Sequence, residues 1–468
     1  MICTHYPVVI IGAGPAGMAA AITAAKYGIK VAVFDESPGP GGQIYRDVLT
    51  SALPDEVMDK DYHYGRNLAN EFLQAEVDYF PNSSVWNIER NGTVGVMNAG
   101  TNHLVSADWL ILATGAMERP VPFSGWTLPG VMHAGAGQIM LKQGGLAPHR
   151  KLVLAGSGPL LFLLASQYLK AGKRIEAIVE TTGSGTIGKA LRHLPNALRA
   201  APYLLKGMSL MASIRRHGVR HVKQAEALTA IGENRVETVS FSSKGKEHRI
   251  ESDWLLTHFG VIPNLAMTAV VGCEQYWDES QYCWRPVVDS AFNSSIGNIK
   301  VVGDLNGIYG AKAAEIEGQL AAIDVVYQEG KVSDRERIRM ERAPRRALST
   351  DTAIRPFLQA LYPPHPGKKA RLPEETVICR CEEVSVGEIR EAVQNGVIGV
   401  NQLKAFTRCG MGACQGRQCG QATAQLVAGL TGRSVSEAGY FHPRVPLKPL
   451  TLGQMASANA PLNPHVQR

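Results

Sequence analysis

Five cysteines crowd into one short stretch, as Cys379-Arg380-Cys381 and then Cys409, Cys414 and Cys419, with C-x4-C spacing twice in succession. Thiolates bind soft metals and pass electrons. Such crowding, where no export leader is expected, reads as metal or redox chemistry rather than as structural disulfides. Four thiolates hold a [2Fe-2S] centre, and a glycine-rich loop such as Gly410-Met411-Gly412 brings backbone N–H groups to the sulfurs. Closely spaced thiolate pairs also build all-cysteine zinc sites. There are five candidates for four places, and spacing alone does not choose among them.

The second chemistry is at the other end. The β-branched run Val8-Val9-Ile10-Ile11 empties into Gly12-x-Gly14-x-x-Gly17 and an Ala-rich helix reaching toward Tyr27. The glycines serve a tight turn, close approach to a pyrophosphate, and tight packing of helix on strand, while the helix start offers unpaired N–H groups and a positive dipole end. Gly12, Gly14, Pro15, Ala16 and Gly17 are therefore the expected phosphate cradle. Asp35, 18 residues beyond Gly17 at the end of Lys30-Val31-Ala32-Val33-Phe34, is placed to accept from ribose hydroxyls, with Glu36 beside it. Pro40-Gly41-Gly42-Gln43 resembles the flavin-proximal loop of glutathione-reductase-type flavoproteins. Ser294, followed ten residues later by Asp304 in Val301-Val302-Gly303-Asp304, is similar to their second FAD motif, with Ser where Thr is usual. This implies FAD, held by Gly42, Gln43, Thr114, Gly115, Gly303 and Asp304 in addition to the cradle.

A second strand, turn and helix runs from Lys151 through Gly156-Ser157-Gly158-Pro159 to about Ala171 and returns to Glu180. Leu161 occupies the third glycine position and crowds the helix, so NAD(P) binding here stays open. Ala107-Asp108-Trp109-Leu110-Ile111-Leu112-Ala113-Thr114-Gly115 is echoed by Ser252-Asp253-Trp254-Leu255-Leu256-Thr257-His258-Phe259-Gly260, which points to two related, nested units.

These elements imply an α/β chain. Residues 1–145 are the first part of an FAD domain, 146–285 an NAD(P)-like domain with a helical insertion, and 286–330 the rest of the FAD domain. The Arg- and Pro-rich 331–375 reads as a linker, 376–432 as the cysteine domain, and 433–468, with Pro443, Pro446 and Pro449, as an extended arm. Ser385-x-x-Glu388 is a capping box that starts a helix ending near Gly396. In the insertion, Leu, Met and Tyr recur among Arg192, Arg199, Lys206, Arg215 and Arg216. A helix packing on its own domain or a partner is expected there, ahead of a membrane-surface helix. Cys3, Cys273 and Cys283 read as unpaired packing residues.

The 468 residues carry a net charge of +7, with no basic face interleaved with aromatics, so nucleic-acid binding is not expected. Val8 to Ala25 is apolar but broken by glycines, which fits a buried strand, turn and helix rather than a signal or a membrane span. A cytoplasmic protein is expected, with peripheral contact at the inner membrane face left open.

C-x-C followed after 32 residues by C-x4-C, within Gly-Met-Gly-x-Cys-Gln-Gly-x-x-Cys, resembles the small domain named after bacterioferritin-associated ferredoxin. That resemblance implies Cys379, Cys381, Cys414 and Cys419 as cluster ligands, with Cys409 a non-ligand. With Ala-Thr-Gly-Ala-x-Glu-Arg-Pro at 113–120, the whole chain is similar to the α subunits of heteromeric flavin dehydrogenases: opine oxidases, hydroxyproline and proline dehydrogenases, and hydrogen cyanide synthase. It implies glutathione-reductase-type nucleotide domains and a ferredoxin-like [2Fe-2S] domain. It also implies dehydrogenation of an amine or amino-acid C–N bond on a flavin-bearing β subunit, together with a small iron-sulfur γ subunit, FMN at an interface between subunits, and an electron acceptor. No His, Tyr and Arg cluster here reads as an amino-acid pocket. The competing readings are an NAD(P)H-dependent flavin oxidoreductase and a non-catalytic nucleotide-binding scaffold. A disulfide reductase is disfavoured, since no closely spaced cysteine pair lies in the nucleotide units.

Overall fold

The computed structural model describes residues 4–148, 150–364 and 372–457. Cys3 lies outside them, as do 365–371 of the expected linker and the end of the arm from residue 458.

The strand His5–Ile11, buried by its apolar run, pairs in parallel with Val31–Phe34 on one side and with the second half of Thr101–Leu112 on the other. Asp78–Phe80 extends the sheet beyond Val31–Phe34, and Ile299–Val301 joins alongside Leu110–Leu112. The first half of Thr101–Leu112 leaves to pair antiparallel with Thr93–Asn98, which carries Ser83–Ile88 at its far edge. The helix Pro15–Ala25 starts on a proline that needs no N–H donor there, and packs against the long helix Ala311–Gln328.

The second sheet is all parallel, in the order Arg220–Val222, Ala177–Glu180, Leu152–Gly156, Trp254–His258 and Val131–His133. The echoed segments thus do the same job twice, each lying beside its own fingerprint strand. Val131–His133 and the helix Ala134–Gly144 behind it put the second unit's start before residue 146. Its end also comes earlier than 285, because Leu265, Val271, Cys273 and Trp284 are buried in the same core as Val9, Leu110 and Val301.

The expected linker departs most from its reading. Residues 334–361 form the helices Asp334–Asp351 and Arg355–Leu361, the first against Ala311–Gln328 and the second against Thr186–Leu191. Ser333 and Glu336 make a reciprocal capping box. Arg337, Glu341 and Arg345 form i,i+4 ion pairs at 3.0 and 2.8 Å, so the dense arginines are helix-stabilising rather than solvating.

The insertion is helical over Thr186–Leu191, Leu194–Ala197 and Ala201–Arg216, with Pro195 and Pro202 in the first turns where proline is tolerated. Ile214 is buried against its own domain, whereas Ile187, Leu191, Leu198, Leu205 and Met208 are exposed. In the cysteine domain the Ser385–Glu388 capping box opens the helix Val386–Gln394 as read, and Gly420–Thr431 packs against it. The arm lies on the first domain: Leu447 N donates to Trp86 O at 2.9 Å, and Lys448 pairs with Glu36 at 2.8 Å. No helix among the described residues is long and apolar enough to cross a membrane.

Candidate functional site

The glycine cradle is set by contacts that leave no room for a side chain. Gly12, at φ +104°, sits under the Ala113 carbonyl, and a Cβ on Gly17 would fall on the Gly12 carbonyl oxygen. Gly17 thereby locks helix to strand and does not itself line the cavity. Asp35 spans the turn, its Oδ2 accepting from Ala13 N at 2.5 Å and its Oδ1 from Ser37 N at 2.7 Å.

A cavity of about 2030 Å³ opens from this cradle. Gly12, Gly14, Pro15, Ala16, Asp35, Glu36, Gly42, Gln43, Thr114, Gly115, Gly303 and Asp304, all drawn from the sequence, line it together. The groups fit a dinucleotide: a helix N-terminus for phosphate, a carboxylate at its edge, and glycines where a Cβ on Gly42 would come within 2.9 Å of Gly14 Cα. Asp304 Oδ1 accepts from Tyr309 N and Gly310 N at 3.1 Å, tying the turn to the start of Ala311–Gln328. Ser294 lies away from the cavity and closes a local turn with Ile296.

Sequence reasoning missed the groups that hold these loops. Lys142, 2% exposed, donates to Gln43 O at 3.1 Å, Ile44 O at 2.8 Å and Gln138 Oε1 at 3.1 Å. Burial lowers its pKa to about 7. Glu317 accepts from Gly303 N at 2.9 Å, and burial pushes its carboxyl up to about 8. Arg119 is buried, with its guanidinium bound to the Tyr282 and Gln281 carbonyls at 2.6 and 2.8 Å, and burial lowers it to about 10. The signal for Arg119 was present in the Ala-Thr-Gly-Ala-x-Glu-Arg-Pro run; Lys142 and Glu317 carry none, because each acts on backbone remote in sequence.

The second unit shares the cavity through Ser157, Gly158, Pro159, Thr181, Thr182 and Lys189. Leu161 is fully buried in the core instead of leaving the space a glycine would. Glu180, the acid expected at the ribose edge, has His221 Nε2 2.9 Å from its Oε2. Below the turn, His258 Nδ1 lies 2.6 Å from Glu118 Oε1, and Glu118 Oε2 accepts from Gly135 N.

The cysteine domain forms another wall through Ile378, Val386, Arg417, Leu426 and Leu430. Trp126 Nε1 donates to Val377 O at 2.7 Å, Arg380 lies over the Trp126 ring at 5.2 Å, and Gln421 Nε2 donates to Tyr282 O at 2.9 Å. The five thiols converge at one end of the domain. Cys379, Cys409 and Cys419 are buried with their sulfurs all within 4.8 Å of one another, and Cys381 lies against Cys414 nearer the surface. The donors are all soft, which fits an iron-sulfur or zinc group. Cys409, expected to stand aside, is thus grouped with two of the four expected ligands. Hydrogen bonds from Cys409 and Cys419 hold the Cys379 thiol far below its usual range, and the bond to Cys379 pushes Cys409 up to about 12. The loop wraps closely because Gly410 and Gly416 ride on the Phe441 ring and Gly412 on Cys381. Cys273 and Cys283 are buried and form no disulfide, as read, and neither belongs to the buried trio.

Residues 6–330 match the pyridine nucleotide-disulphide oxidoreductase family, and residues 374–459 the sarcosine oxidase A3 domain. An opine oxidase subunit of Rhizobium meliloti is 42% identical over 99% of this chain and 88% of its own length. Hydrogen cyanide synthase subunit HcnB of Pseudomonas protegens is 31% identical over 98% of this chain and 99% of its own. The L-proline dehydrogenase from P. horikoshii has the same fold, with a TM-score of 0.70 at 21% identity over 96% of this chain and 79% of that one. The chain therefore belongs to the pyridine nucleotide-disulphide oxidoreductase family and, within it, to the flavin dehydrogenase subunits that include this opine oxidase polypeptide.

Proposed function

We propose that this chain is the electron-relay subunit of a flavin-dependent dehydrogenase acting on the C–N bond of an amine or amino acid of the opine, hydroxyproline, proline or glycine type. The observation that carries it is the single cavity walled by the FAD cradle on one side and the cysteine domain on the other. Oxidation of the C–N bond removes two electrons and two protons and leaves an imine, which water converts to a carbonyl and an amine. FAD accepts such electrons in pairs, and an iron-sulfur centre passes them on singly.

In this reading Gly12, Gly14, Pro15 and Ala16 hold the pyrophosphate, Asp35 the ribose, and Asp304 the ribityl chain. Lys142 and Glu317 keep the two flavin-facing loops in register. Cys379, Cys381, Cys414 and Cys419 hold a [2Fe-2S] cluster. The substrate is oxidised on a flavin-bearing β subunit, with FMN at the interface and a small iron-sulfur γ subunit as further parts of the assembly. The exposed Ile187, Leu191, Leu198, Leu205 and Met208 support a partner contact on the helical insertion. Peripheral attachment of a cytoplasmic assembly to a membrane follows if that face meets lipid instead.

A second reading, reduction of FAD by NAD(P)H, is favoured by Gly158 and Pro159 opening into the same cavity. It is weakened by Leu161 and by the His221 contact on Glu180. The test is the absorption spectrum of the anaerobically purified chain with iron, sulfide and flavin assays, followed by addition of substrate with partner or of NADH alone. Flavin and cluster bands with about two irons and two sulfides, bleached by substrate only with partner present, are expected. Bleaching by NADH alone would replace this reading with the second. A colourless, zinc-containing chain would overturn both and leave a nucleotide-binding scaffold.

A further inference from the structure

We propose that Cys409 is an alternate ligand of the cluster site, able to take the place of either Cys379 or Cys419 but not of Cys381 or Cys414. This rests on the cluster reading above and adds a fifth functional thiol to it.

Reach decides which thiols can exchange. The five divide into two groups, the surface pair Cys381 and Cys414, and the buried trio Cys379, Cys409 and Cys419. The expected ligand set draws two sulfurs from each group. The remaining thiol is buried against the two inner ligands, with all three sulfurs within 4.8 Å of one another. Thiolates on one tetrahedral metal stand at a comparable separation, a metal–sulfur bond being about 2.3 Å for zinc. Cys409 would need only a side-chain rotation to reach a metal held by either inner thiolate. A second observation fixes where it waits: Cys409 Sγ lies 3.4 Å from the buried Thr423 hydroxyl, which offers the idle thiol a partner.

The exchange balances without an oxidant. The Cys409 thiol gives up its proton as its sulfur binds iron, the bond from Cys419 to iron breaks, and Cys419 takes up a proton. The oxidation states of the irons do not change. A chain so built keeps its cluster when one inner thiolate is lost to oxidation, while loss of an outer one removes it.

The test uses the full chain with single and double alanine substitutions, since serine can itself bind iron. Each variant is purified anaerobically, supplied with ferrous iron and sulfide, and read by iron and sulfide content and by absorption and EPR spectra, with bound flavin as the check on folding. Cys409→Ala is expected to retain the wild-type content of about two irons. Cys419→Ala and Cys379→Ala are expected to retain it with shifted spectra, Cys381→Ala and Cys414→Ala to lose it, and Cys409→Ala/Cys419→Ala to lose it. If Cys419→Ala and Cys379→Ala bind flavin but no more iron than Cys381→Ala, the inference is overturned while the cluster reading stands. If the wild-type chain takes up no iron and sulfide, both fall.

Discussion

Glu317 should carry a proton at neutral pH, and removing its ability to ionise should stabilise the protein. Its carboxyl is buried beneath the Gly303-Asp304 turn, with its folded-state pKa raised from 4.5 to about 8, first by desolvation. A raised acid pKa means that stability is fully present below the unfolded value and is lost as pH climbs toward the folded one. At 1.4 kcal/mol per unit, the loss reaches about 3 kcal/mol at pH 7, about 4 kcal/mol at pH 8 and about 5 kcal/mol above it. Gln keeps the oxygen that accepts from Gly303 N and cannot ionise. The side-chain oxygen of the neighbouring Asn306 is buried without a partner, and turning that amide over would let it accept the proton of Glu317 or an N–H of Gln. Glu317→Gln should therefore match wild type at pH 4.5 and exceed it increasingly up to pH 8. Urea-unfolding free energies of the flavin-loaded chain between pH 4.5 and 9 give the comparison. Parallel curves, or a Gln variant weaker than wild type at pH 8, would refute the proton on Glu317.

Gly17→Ala should yield chain without bound FAD, read from absorbance, because its Cβ would meet the Gly12 backbone, whereas Gly188→Ala, facing open space, should load normally. Lys142→Met leaves the Gln43 and Ile44 carbonyls without their donor. At about 1 to 3 kcal/mol for each buried group left unpaired, FAD affinity measured by fluorescence titration should fall at least tenfold, and unchanged affinity would remove Lys142 from the site. Trp126→Phe keeps a ring under Arg380 but loses the bond to Val377 O. That is about 1 kcal/mol, so amides around Val377–Cys379 should exchange with solvent roughly fivefold faster.

What was legible in the sequence is what acts locally. Gly12, Gly14 and Gly17 specify a turn through their own backbones, and Ser385 and Glu388 close a cap across a single turn of helix. The echo of Ala107–Gly115 in 252–260 could be read because both strands repeat one task beside a glycine turn. The helix Asp334–Asp351 was equally local in its signals, Ser333 with Glu336 and then Arg337, Glu341 and Arg345 at i,i+4. Arginine density and Pro344 obscured it, since both suggest a linker when counted rather than placed. Lys142 and Glu317 were not legible. Each is a charged residue on an otherwise ordinary helix, and only the fold brings it under a carbonyl or an amide that it alone satisfies.

The same distinction explains how the cysteine domain is held. Its own core needs nothing from the rest of the chain, yet polar contacts pin it and its arm, among them Trp126 on Val377, Gln421 on Tyr282, and Lys448 on Glu36. The Tyr282 carbonyl is the joint, accepting from Gln421 of the cysteine domain and from the buried Arg119 of the flavin side at once. An exposed pair such as Lys448 with Glu36 adds less than about 1 kcal/mol. The Arg119 joint is buried, and losing either donor leaves the Tyr282 carbonyl short of a partner. The position of the thiols relative to the flavin cradle is therefore held in part by a backbone carbonyl, which no substitution at residue 282 can remove. The proposed relay between two redox groups would require a fixed separation, and this joint would help to hold it.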